Sequence, residues 1–117
     1  MLKKGEVKSG DIIWTQFNPS VGHEFQDKRP ALVIQTDRQL AKSNLATVMP
    51  ITANILNKMV DDVLVEPNIK NSLRCVSVIK VYDIISCDYQ RFFGKIGVIE
   101  DEVMDKIKEY LKRHFGI

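Results

Sequence analysis

The spacing of apolar residues changes period once along this chain, close to residue 100. Before that point they fall in short runs separated by turn-forming clusters. Asp11 to Phe17 (Asp-Ile-Ile-Trp-Thr-Gln-Phe) is rich in β-branched and aromatic residues and predicts a strand. Asn18-Pro19-Ser20-Val21-Gly22 breaks it, and a polar loop follows to Lys28. Pro30 is expected to open the next strand, where its missing N–H costs no ladder bond. The continuously apolar run Ala31 to Ile34 predicts a central strand covered on both faces. Asp37 to Asn44 predicts a turn or short helix, Leu45 to Ile51 a third strand and Val60 to Val65 a fourth. Cys75 to Asp88 supplies two more strands or one long bent one. The connections are too short for parallel crossovers, so the pairing is expected to be antiparallel.

From Glu100 to Phe115 the period becomes helical. Val103, Ile107 and Leu111 fall at i, i+4 and i+8, and Met104 and Tyr110 widen the stripe. Acidic residues 100–102 precede the basic run Lys112-Arg113-His114, an order that suits the helix dipole. Glu102 with Lys106 and Glu109 with Arg113 are expected i,i+4 pairs, and Gly116 is a C-cap. Five or six short strands and one terminal amphipathic helix make a compact, barrel-like α+β domain, with 1–117 as a single unit.

Composition changes this picture little. The 117 residues are 44% hydrophobic and 27% charged, as in an ordinary globular domain. A net charge of +2 permits a nucleic-acid partner without requiring one. No stretch approaches the roughly 18 to 20 apolar residues of a membrane span. Met1-Leu2-Lys3-Lys4 runs into Gly5-Glu6, so no export signal is expected; the cytoplasmic location we expect rests on reduced cysteines. Cys75 and Cys87 lie in apolar surroundings and are expected as a free, reduced, buried pair. Neither His23 nor His114 has metal-ligand spacing to a cysteine, so neither a metal nor a cofactor is expected.

The informative chemistry lies in Lys28-Arg29-Pro30-Ala31-Leu32-Val33-Ile34 and Met49-Pro50-Ile51-Thr52. A cation stands at the mouth of one strand and a hydroxyl at the end of the next, a pair suited to a phosphodiester. His23 is the side chain near Arg29 whose ordinary pKa lies closest to neutrality, so it is a candidate to protonate a leaving oxygen or to bind a phosphate. Glu24 and Asp83 are alternative bases, or orienting partners for Arg29. Phe17 and Phe25 flank Gly22 and could stack on unpaired bases, although Phe17 could equally be core, where Trp14 is expected. Lys28, Lys80 and Arg91 are candidate phosphate contacts.

Taken in order, these segments resemble the MazF/PemK family of toxins from bacterial toxin–antitoxin pairs. The resemblance runs from Gly10-Asp11-Ile12-Ile13-Trp14 through Asn18-Pro19-Ser20-Val21-Gly22-His23-Glu24, the Arg29 segment and Pro50-Ile51-Thr52 to Ser77-Val78-Ile79 and the terminal helix. It implies a small SH3-like antiparallel β-barrel of CcdB/PemK type, usually a homodimer, that cleaves single-stranded RNA without a metal. The implied products are a 2′,3′-cyclic phosphate and a 5′-hydroxyl. Arg29 and Thr52 occupy the positions of the family's usual catalytic pair, and a cognate antitoxin is the implied protein partner. Departures occur at Lys80 and Tyr82, where one branch carries Arg-x-Asp, and at Ile85, where an arginine is common. Two alternatives stay open: a toxin of the same fold that binds a protein target such as DNA gyrase, and a degenerate member that binds RNA or antitoxin without cutting.

Overall fold

The structure, a computed structural model, describes residues 2–17 and 28–117. Among the described residues seven strands form one antiparallel sheet: β1 (Asp11–Gln16), β2 (Lys28–Val33), β3 (Leu45–Thr52), β4 (Val63–Val65), β5 (Ser77–Ile79), β6 (Ile85–Asp88) and β7 (Phe92–Val98). Helix α1 (Asp37–Lys42) joins β2 to β3, and α2 (Asp101–Phe115) closes the chain. The strand order is β4-β5-β3-β2-β1-β7, with β6 also paired to β3. Among the described residues no ladder joins β7 back to β4 or β6, so the sheet is not closed into a ring by its hydrogen bonds.

Both faces of the sheet are covered, which is why Ala31 to Val33 reads as an unbroken apolar run. On one face Ile12, Leu32, Met49, Ile51 and Ile79 pack under Val103, Met104, Ile107 and Tyr110 of α2. On the other, Ile13, Ala31, Val33, Ala46 and Val48 meet Val7, Leu40 and Phe92. The terminal helix matches its sequence pattern closely: Gly116 takes the left-handed conformation at φ 69° and its amide bonds to the Lys112 carbonyl. Of the expected i,i+4 pairs, Arg113 turns away from Glu109 to reach Asp61 at 3.6 Å.

Four expectations change. A seventh strand, β7, runs along β1, with register shifts that fall on either side of Ile13 and Trp14. β4 begins at Val63, and Val60 is exposed. Pro30 is the third residue of β2, tolerated because pairing with β3 starts only at Ala31. Pro50 works similarly: β3 pairs with β6 up to Val48 and with β5 from Ile51, so this proline stands where that edge changes partner. Trp14, expected in the core, is 39% exposed.

Candidate active site

The register between β2 and β3 brings the two motif residues together. Ala31 faces Pro50 and Leu32 faces Met49, and the same register extended past the ladder sets Arg29 opposite Thr52. Side chains alternate along strands, so both turn to the face that carries Ala31 and Val48. Arg29 Nη1 lies 3.4 Å from Thr52 Oγ1. Thr52 is almost fully buried, and its Oγ1 also accepts the Asn54 amide at 3.2 Å. With two hydrogen bonds accepted, this hydroxyl has one capacity left, donation of its own proton. At 3.4 Å the arginine contact is at the long end of hydrogen bonding, so a charge-assisted bond to a phosphate oxygen would displace it easily.

The other candidates divide. Lys28 is exposed, its ammonium 4.2 Å from the centre of the Phe93 ring. Asp83 is half-buried in the β5–β6 turn, its amide bonded to the Lys80 carbonyl, and its charge is felt at Tyr110. Lys80 is not the surface cation expected, and its burial keeps it from contacting a phosphate. It is buried, with Nζ 2.6 Å from Asp62 and 3.1 Å from the Asn57 carbonyl. Asp62 also accepts the Val81 and Met59 amides, so this ion pair pins the segment after Thr52 to the end of β5. Phe17 is 3% exposed within the cluster around Ile13, which is the core role and leaves no ring face for stacking. His23, Glu24 and Phe25 lie outside the described residues.

The cysteines are not a buried pair. Cys87 is buried, and burial pushes its thiol up to about 11; Cys75 is exposed. Tyr82 donates to Asp61 at 2.8 Å, a bond that holds its phenol above the usual range.

Two of the clefts on the surface are formed by described residues. One, of ≈ 480 Å³, is lined by Trp14, Pro30, Ile51, Ala53, Arg74 and Cys75, among others. The second, of ≈ 510 Å³, lies between α2 and the 60–64 segment. The first is not legible in the sequence, because the apolar, strand-like surroundings of Trp14 predict it in the core. The available signal was the alternation of Trp14 with Ile13 at the end of a strand.

Residues 8–115 match the family described as PemK-like, MazF-like toxin of type II toxin-antitoxin system. Endoribonuclease EndoA of Bacillus subtilis (strain 168) is 37% identical over 107 residues, covering 91% of each chain. The fold matches MazF from Deinococcus radiodurans with a TM-score of 0.78 at 22% identity, over 95% of this chain and 97% of that one. It also matches a mycobacterial endoribonuclease in complex with its cognate antitoxin, TM-score 0.69 at 14% identity, over 95% and 94%. With the family pattern spanning nearly its whole length, the chain belongs to the PemK-like, MazF-like toxins of type II toxin–antitoxin systems.

Proposed function

We propose that this toxin is a metal-independent endoribonuclease that cuts single-stranded RNA, with Arg29 and Thr52 at the scissile linkage. The observation that carries the reading is their convergence at one rim of the sheet, 3.4 Å apart, in a chain related to a named endoribonuclease. In internal transphosphorylation the ribose 2′-oxygen attacks the adjacent phosphorus in line and the 5′-oxygen departs. Negative charge grows on the non-bridging oxygens. The guanidinium of Arg29 meets that charge with a planar fork that can donate two parallel bonds. Thr52, whose Oγ1 is held by the Asn54 amide, donates a hydrogen bond to a phosphate oxygen and fixes the geometry. This division of labour makes Thr52 a hydrogen-bond donor instead of a base. The general acid and base belong to other groups, of which His23 is our candidate for protonating the leaving oxygen.

The strongly antiparallel, two-faced sheet fits the SH3-like barrel, and we extend to this chain the antitoxin partner of its mycobacterial structural relative, a homodimeric state and a place in the cytoplasm. No described helix is long and apolar enough to cross a membrane. Incubating the purified protein with single-stranded RNA in EDTA tests the activity: discrete cleavage is expected, and intact RNA at high enzyme sinks the proposal. If an Arg29→Ala, Thr52→Ala double variant kept full toxicity in cells, a protein target would replace RNA.

A further inference from the structure

The rim that presents Arg29 and Thr52 has a second side. Trp14 pairs with Pro30, one residue past Arg29, and both line the ≈ 480 Å³ cleft, as does Ala53, one residue past Thr52. We propose that this cleft binds an unpaired nucleobase of the RNA, the one beside the scissile linkage, with Trp14 as the stacking platform and Arg74 as the adjacent cation. The inference rests on the nuclease reading above and names a subsite for its substrate.

Three observations carry it. The first is continuity: a strand draped over the rim meets the catalytic pair and the cleft within one residue of each other. The second is exposure. Asp11, Ile12, Ile13 and Thr15 of β1 are all buried, and Trp14 alone among them is open at 39%. An open indole on a rigid strand supplies the flat π surface on which bases stack. The third is charge. Among the described residues Arg74 lines this cleft and no carboxylate does, whereas the ≈ 510 Å³ cleft presents Asp61, Asp62, Asp105 and Glu109 against Lys106 and Arg113. A polyanion is drawn to the first and repelled by the second.

The wall of the cleft is held in place before any ligand arrives. Asn71 is fully buried; its amide donates to the Glu66 carbonyl and to Glu100, and its oxygen accepts the Leu73 amide. The same turn lies against Gly97, where an added Cβ would come within 2.4 Å of the Asn71 carbonyl oxygen. A preformed wall lowers the ordering cost of binding.

Trp14 is the only tryptophan in the chain, so its emission reports this cleft alone. The probes are short 2′-O-methyl RNA strands, which lack the attacking hydroxyl, titrated while emission and anisotropy are followed together. Saturating quenching of Trp14 is expected at the affinity that anisotropy gives. In an abasic scan, one position should abolish the quench and weaken binding about 5- to 100-fold. Trp14→Ala should cost a similar factor, with no further loss when combined with that abasic position, and Trp14→Phe should restore most of the affinity. Binding without any change in Trp14 emission overturns the proposal, as does independent multiplication of the two losses. So does an emission that depends on protein concentration without RNA, since a second copy would then cover the cleft. Quenching with ordinary RNA left uncut would sink the nuclease reading and keep the subsite; cleavage without quenching does the reverse.

Discussion

At the scale of single residues, catalysis depends on what each side chain can still donate. Arg29→Ala removes a pre-placed donor to the developing charge and should lower the cleavage rate on the order of 10²–10³. Arg29→Lys should do nearly as badly, because an ammonium keeps charge but not the fork. Thr52→Val keeps the shape and deletes the proton, so the expected loss, on the order of 10², should fall on kcat more than on KM. Thr52→Ser should recover most of it. The cysteines give a second residue-level test. A thiol reagent should label one cysteine quickly in the native protein, Cys75, and the second only on unfolding, because Cys87 is buried. The Cys87 thiol is raised from 9.0 to about 11. A raised folded value means stability is complete below pH 9 and declines toward pH 11. Denaturant melts of Cys87→Ala against wild type should show this alkaline decline reduced.

At the scale of elements, the buried Lys80–Asp62 pair ties the segment after β3 to the end of β5. Lys80→Met strands a buried carboxylate and should destabilise the fold by about 3–5 kcal/mol, read by urea denaturation. If Lys80 instead touched RNA, the substitution would mainly weaken binding and flatten its salt dependence. Sequence could not separate these roles, because Asp62 is 18 residues away and only the fold brings them together. Helix α2, by contrast, was legible apart from the Glu109–Arg113 pair, since its apolar stripe, charge order and Gly116 cap are all local signals. β7 escaped notice because Gly94 and Gly97 weaken a strand pattern, and Gly97 is there to admit the Asn71 turn. Trp14 was misplaced because periodicity says which face a residue takes but not whether anything covers that face. The Arg29–Thr52 pair was legible as two motifs, and the antiparallel register explains why they meet.

For the whole molecule, a modest +2 charge must act through its distribution. Among the described residues, the cations near the rim besides Arg29 include Lys28, over the Phe93 ring, and Arg74 at the cleft. Affinity for single-stranded RNA should fall with salt by a log–log slope of roughly 0.7 per neutralised phosphate. Lys28→Gln should reduce that slope by about one such step if Lys28 meets the backbone.

The central claim is that an arginine and a threonine, brought opposite each other by two antiparallel strands, cut RNA through its own 2′-hydroxyl. Characterising the ends left on a long RNA cut in EDTA tests it most directly. The expected ends are 2′,3′-cyclic phosphates and free 5′-hydroxyls at discrete sites, nearly absent with Arg29→Ala. Ends bearing 5′-phosphates, or undiminished cutting by Arg29→Ala, would contradict it.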